Sequence, residues 1–384
     1  MRYLYKTSSF VLCAVSAMLL SSSAAAKHIS SEPHYEAKTE IFEPYRCDGN
    51  ALISENQGVI SLNTLKYFGT SITIDLYDAQ TSEGKVALCN ALNVIQKYHY
   101  HASNYSTYPN IVNVKSINND PATRHTISSE LTEILAASIE WYGLSDGYFN
   151  IALSPVIDVW RTYRNNCNKK GICKLPSDLE LTKAAQYTKI SDINLDTENN
   201  TISMKAGMSI DLGGIAKGWM AEKVYEQLKS DGMTSFMINA GGNIRHFGRH
   251  PEGREFATAI EDPLCKKSDY QLERCQTPSG LYHEIIKGED LTIVSSGNYL
   301  NYFTVDGKDY HHIINPKTLY PKEDGISVST ILKSKQICAD VISTALFLMP
   351  IEQAITFADE NQYIKSVWYL DEDGNKRFSH NFND

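Results

Sequence analysis

The stretch SIDLGGIAKGWMAEKV, Ser209 to Val224, constrains the chain more than any other. A short apolar approach ends at Asp211, side chains vanish at Gly213 and Gly214, and an amphipathic run opens near Ala216 and continues through Tyr225 and Leu228. That order predicts strand, tight turn and helix. Glycines let a ligand approach main-chain amides, while unpaired N–H groups and the positive end of the helix dipole favour an anion such as a phosphate. Lys217 adds a mobile positive charge one turn in. Asp211 is placed to orient a ligand hydroxyl or amide, or to cap the amides that follow. The same letters also fit a corner that needs glycine only for steric reasons. They match neither the P-loop pattern nor the spaced glycines of a dinucleotide fingerprint.

Three more stretches narrow the reading. MINAGGNIRHFG (Met237 to Gly248) puts apolar residues ahead of a second glycine pair, Gly241 and Gly242. IVSSGNYLNYFTVDGKDYHHIINPKTLYP runs from Ile293 to Pro321, and CADVISTALFL from Cys338 to Leu348. With these in order, the chain resembles the ApbE family, the FAD:protein FMN transferases. DLGGIAKG is reproduced letter for letter, and NxGGNI, TSGxYxxYF, HIIDPxTGxP and ADxLxTA all have counterparts. The resemblance extends from near Tyr67 to Leu348.

Strands and helices alternate around glycine turns, which gives an α+β fold, a mixed sheet with flanking helices. The resemblance implies an ApbE-like (T-fold-related) single domain over residues 61–384. Before it, residues 1–26 carry Arg2, Lys6, an apolar core from Phe10 to Leu20 and the small-residue run SSSAAA, the anatomy of a secretory signal too short to span a bilayer. Residues 27–60 read as an irregular leader. Many relatives are lipoproteins, but Cys13 follows Leu12 and lies inside the apolar core, so a soluble periplasmic protein with no stable transmembrane anchor is expected. Loss of Arg2 and Lys6 with the signal leaves 34 basic against 45 acidic residues, a net charge of −11, which argues against nucleic-acid binding. Cys167 with Cys173, and Cys265 with Cys275, bracket polar insertions whose ends a disulfide would tie. Neither pair has zinc-type spacing. Cys89 and Cys338 sit in apolar patterns and read as small core residues.

The resemblance implies a set of site residues. Phe68 stands where the family often has Met and fits either packing on a flavin or adenine ring or burial as a strand residue. Tyr108, in the STY loop, is a stacking candidate, although the chain has 23 tyrosines and an arbitrary one is only surface or core. His99 and His101 read as a solvated pair. Tyr148, Phe149 and Asn150 match positions that hold FAD, with Asn150 in place of Asp, and Trp160 reads as core. Asp211, Lys217, Ser296, Gly297 and His312 complete the cofactor set. His312 matches the family's HIIDP histidine and is the expected general base, since a neutral imidazole accepts a proton from a hydroxyl near pH 7. Asp211 is the second catalytic candidate. Asp340 and Thr344 are four apart at helical spacing, so both oxygens share a face. With the Gly214 carbonyl they form a hard-oxygen set suited to Mg2+. Asn315 replaces an Asp and Leu319 a turn glycine, departures expected to reshape the loop that receives the acceptor.

The implied reaction moves FMN from FAD to a threonine or serine hydroxyl of an acceptor flavoprotein of an exported or membrane electron-transfer system, releasing AMP. Two other classes fit the same residues. In one, water replaces the hydroxyl and the protein is an Mg2+-dependent FAD pyrophosphatase. In the other, it binds FAD without catalysis.

Overall fold

Alternating apolar and polar runs build one large sheet. The computed structural model describes residues Cys47, Gly49, 51–333 and 338–383; the expected signal segment, 1–26, lies outside them. The sheet has nine strands: β1 (Leu52–Asn56), β2 (Val59–Thr64), β3 (Ile72–Tyr77), β4 (Ser235–Ala240), β5 (Asn243–Phe247), β6 (Asp290–Gly297), β7 (Ser327–Lys333), β8 (Ile364–Leu370) and β9 (Lys376–Phe378). They lie in chain order, each antiparallel to the next. Alternation is clean in β2, near the edge, and disappears in β3 and β4, where nearly every residue is buried because both faces are covered.

Six helices matter for the site: α1 (Thr81–Ala102), α2 (Ser129–Leu144), α3 (Ser154–Lys170), α4 (Ala216–Ser230), α5 (Ala339–Leu348) and α6 (Ile351–Glu360). In α1 the buried face is Ala87, Leu88, Ala91, Leu92, Ile95 and Tyr98, a spacing only a helix satisfies. Ser128 caps α2, its hydroxyl accepting from the Leu131 N–H at 3.2 Å. Helix α4 packs on α1, β4 and β5, and α5 packs on β6 and β7. The α+β class with helices flanking a sheet is as expected.

Three local expectations change. Part of the segment read as an irregular leader is ordered, since β1 and β2 form an antiparallel hairpin over Leu52–Asn63. The approach to Asp211 is not a strand. Its regular part stops at Thr201–Met204, in a small three-stranded sheet. Beyond it, the Asn118 side chain bonds both the N–H and the C=O of Ile210 at 2.8 Å each, so side-chain amide replaces a strand ladder. Cys89 is also more than a core residue, because it is disulfide-bonded to Cys47. An apolar position on α1 accommodates a half-cystine as readily as a thiol. The Cys167–Cys173 and Cys265–Cys275 disulfides form as expected, and Cys338 is free and buried.

Candidate active site

Asp211 is bound into the frame of the glycine turn. Its amide donates to the Ile151 carbonyl at 2.9 Å, and its Oδ1 accepts from the Gly213 N–H at 2.7 Å. Its Oδ2 accepts from Arg161 at 2.8 Å and from Asn104 at 2.9 Å. Of the two roles open to it, capping is therefore the one its contacts display. The amides that follow are mostly engaged: Ala216 donates to Leu212, and Gly218 to the Asp340 side chain. Those of Gly214 and Lys217 have no acceptor among the described residues.

The N-termini of α4 and α5 meet at this turn. A Cβ on Gly218 would sit 3.0 Å from the Asp340 amide nitrogen, so glycine permits the approach. Asp340 is 5% exposed; its Oδ2 accepts from the Gly218 N–H at 2.6 Å and its Oδ1 from the Asn243 side-chain amide. The Lys217 ammonium lies 3.9 Å from Asp340 Oδ2 and 3.4 Å from the Gly213 carbonyl oxygen. Thr344 is the one residue of α5 that is not buried, and its Oγ1 is 3.6 Å from where a Cβ of Gly214 would stand. On the other side, Ser296 Oγ lies 2.8 Å from Ser343 Oγ, which places Ser296 and Gly297 at the end of β6 beside α5.

These contacts test the fit of a hard cation. One carboxylate, one hydroxyl on the only open position of its helix, and the main chain of Gly214 converge, and each Asp340 oxygen has a single protein donor with acceptor capacity left. No group of three His, Cys, Asp or Glu able to hold a metal occurs among the described residues. The oxygen set fits Mg2+ and does not resemble a zinc site.

The two adjacent histidines separate in role. His311 is buried, its Nε2 donating to the Lys322 carbonyl at 2.7 Å and its Nδ1 accepting from the Ile313 N–H at 3.2 Å. His312 keeps an exposed surface, although protein surrounds it on most sides. Desolvation first, then the neighbouring His311 and the positive charges of Arg164 and Lys217, hold its pKa below the ordinary histidine value; the open side limits the first of these. The imidazole is neutral at pH 7. Arg164 donates to the Asn301 carbonyl at 3.3 Å.

The expected aromatic residues form two groups. The Phe68 N–H donates to His99 Nδ1 at 3.2 Å, and Tyr108 Oη lies 3.4 Å from His99 Nε2. His99 thus organises Phe68 and Tyr108 rather than belonging to a solvated pair, and burial lowers its pKa. His101 is likewise half-buried. The second group follows α2. Phe149 is buried, with a ring carbon 3.1 Å from a Cβ built on Gly214, and Tyr148 lies under the Lys317 ammonium, 3.9 Å from its ring centroid. Asn150 uses both ends of its amide within the protein, accepting from the Ala152 N–H at 2.9 Å and donating to the Thr188 carbonyl at 3.1 Å. Trp160 is buried and donates to the Leu319 carbonyl at 2.8 Å. Asn315 Oδ1 accepts from the Lys317 N–H at 2.9 Å, and Leu319 takes φ 66°, a left-handed conformation that favours glycine.

The sequence profile of the ApbE family matches residues 68–368. The chain belongs to the ApbE family. Among curated proteins it is 29% identical over 254 residues to a FAD:protein FMN transferase of Vibrio cholerae, covering 66% of this chain and 71% of that one. It is 28% identical over 238 residues to one of Haemophilus influenzae, covering 61% and 64%. Among solved structures, the ApbE protein of Thermotoga maritima superposes with a TM-score of 0.72 at 24% identity, covering 84% of this chain and 98% of that one. The flavin transferase ApbE of Vibrio cholerae gives 0.64 at 23%, covering 86% and 97%. Both share the fold. In this ApbE-family site, sequence reasoning missed Arg161, Arg164, Asn118 and His99. Arg161 lies 50 residues from Asp211, so no local pattern signals the pair. Asn243 stood in a quoted motif without a role.

Proposed function

We propose that the chain is an Mg2+-dependent FAD:protein FMN transferase that moves FMN from FAD to a threonine or serine hydroxyl of an acceptor flavoprotein. Family membership and the names of the relatives support the reaction class. The observation that carries the reading to this chain is the meeting of α4 and α5, where Lys217, Asp340, Thr344 and Gly214 gather and the Lys217 charge reaches neutral His312.

In this reading Asp340, Thr344 and the Gly214 carbonyl hold Mg2+, which supplies charge neutralisation to a diphosphate. Lys217 and the free amides of Gly214 and Lys217 bind the diphosphate oxygens. Phe68 and Tyr108 offer ring faces, and Tyr148 and Phe149 flank the adenosine half. His312 accepts the proton of the acceptor hydroxyl. The hydroxyl oxygen bonds to the phosphorus on the riboflavin side, the bond from that phosphorus to the bridging oxygen breaks, and AMP leaves with that oxygen. The proton on His312 passes to solvent or to AMP. Asp211 keeps the turn in shape through the Gly213 amide and Arg161. Acceptors are flavin-carrying proteins of exported or membrane electron-transfer systems. The disulfides at Cys47–Cys89, Cys167–Cys173 and Cys265–Cys275 support a periplasmic location, and among the described residues no helix is long and apolar enough to cross a membrane.

Incubating the protein with FAD, Mg2+ and a threonine-containing acceptor tests this reading. The expected product is an acceptor whose flavin fluorescence survives denaturation, with loss of the reaction on chelation. Free FMN and AMP would make the protein a pyrophosphatase. Unchanged FAD would leave only binding.

A further inference from the structure

Two elements address the buried carboxylate of Asp340, and only one of them is the glycine turn. The other is Asn243, 5% exposed, which opens β5 immediately after Gly241 and Gly242. Its amide donates to Asp340 Oδ1. Two residues on, and so on the same face of the strand, stands Arg245, 1% exposed. Its Nε donates to Glu222 at 3.0 Å, its Nη1 donates to Asp290 and to the His246 carbonyl, and its guanidinium lies 3.6 Å from the Tyr225 ring centroid. Its Nη2 has no partner among the described residues, and neither has the Oγ1 of Thr292, which pairs with Arg245 across β5 and β6. Both line a small cavity that Asn243 and Gly218 also border. Leaving such buried groups bare is unfavourable. The space is about one water across, and these two bare groups are the partners a water there would take.

We propose that Asn243 is a positioning residue for the metal-binding carboxylate, braced from behind by a water held between Arg245 and Thr292. The inference rests on the reading of Asp340 as a metal ligand. Asn243 suits the task because its amide donates without adding charge: apolar replacement strips Oδ1 of its donor, and a longer amide displaces it. Asp340 then rotates away from the helix face it shares with Thr344.

The test is Mn2+ titration of the full chain, followed by electron paramagnetic resonance with and without FAD, for wild type, Asn243→Ala, Asn243→Gln and Thr292→Val. Thermal melts establish which variants fold. The two Asn243 variants are expected to bind Mn2+ about 10–100-fold more weakly, as for other partners of metal ligands. Thr292→Val is expected to show a smaller loss in the same direction. Wild-type affinity in either folded Asn243 variant overturns the positioning role; unaltered affinity in Thr292→Val overturns the bracing water. Wild type that binds no Mn2+ in either condition overturns the metal reading beneath both.

Discussion

At the scale of single residues, the site is decided by which polar atoms are already engaged. His311 and His312 are neighbours of identical chemistry, yet His311 has both ring nitrogens bonded to main chain while His312 faces the opening. His312→Ala is expected to lower transfer by about 10²–10⁴-fold while FAD still binds, the range for loss of a general base. Quenching of flavin fluorescence measures binding and acceptor flavinylation measures rate; full rate in the variant removes His312 as the base. His311→Ala is expected to act on stability instead, since it strands the Ile313 amide and the Lys322 carbonyl and costs about 2–4 kcal/mol by denaturant unfolding. The sequence alone aligned His312 with the family motif but gave no account of His311. Asn315 and Leu319 teach the converse lesson. The two positions carry two features of the turn, an acceptor at 315 and a left-handed backbone at 319. Asn supplies the first, and Leu adopts the second at a cost of roughly 1–2 kcal/mol, with its side chain packed among Leu153, Val156 and Trp160.

At the scale of elements, helices with strong periodicity were legible, and connections governed by remote partners were not. The cap at Ser128 and the apolar face of α1 follow from spacing. The path into Asp211 does not, because Asn118, 92 residues before Ile210 in sequence, dictates it. Helices α4 and α5 approach closely at Gly218. Gly218→Ala places a methyl 3.0 Å from the Asp340 amide and 3.2 Å from its carboxyl carbon. The expected result is a loss of about 1–3 kcal/mol from overpacking and a weaker metal site, because the helices must part. Melting temperature and Mg2+-dependent thermal shift check the two effects separately. The disulfides also rank by element. Cys47–Cys89 closes a separation of 42 residues and Cys167–Cys173 one of 6. Chain entropy alone then assigns about 4 and about 2 kcal/mol. Cys89→Ser is therefore expected to lower stability more than Cys173→Ser in matched urea melts, and equal losses would show that native-state contacts, not the denatured chain, set the difference.

At the scale of the whole molecule, the sheet runs in chain order, but excursions between β3 and β4 and between β5 and β6 carry much of the site away from it and back. Periodicity marks strands; it does not reveal that Asn63 lies opposite Thr73 or Asn243 beside Asp340, which is why the sequence yielded the class and the motifs without the order of the sheet. The same burial gives the molecule its response to acid. His246 lies in β5 with neither ring nitrogen partnered among the described residues, and desolvation, then Arg245, push its pKa down to about 4. Desolvation does the same to His311, also to about 4. The ordinary value in the unfolded chain is 6.5. Because the folded values are depressed, the unfolded chain binds protons first: the stabilisation is complete above about pH 6.5 and is lost as pH falls toward 4. Between pH 7 and 5 each histidine is expected to remove about 2 kcal/mol, before most carboxylates titrate. His99, His101 and His283 are lowered in the same direction. Urea unfolding at pH 7, 6 and 5 measures the slope, and His246→Leu isolates one share of it, since no hydrogen bond among the described residues is lost with that ring. The variant should lose about 2 kcal/mol less than wild type over this interval; an unchanged slope would mean that His246 titrates alike in the folded and unfolded chain.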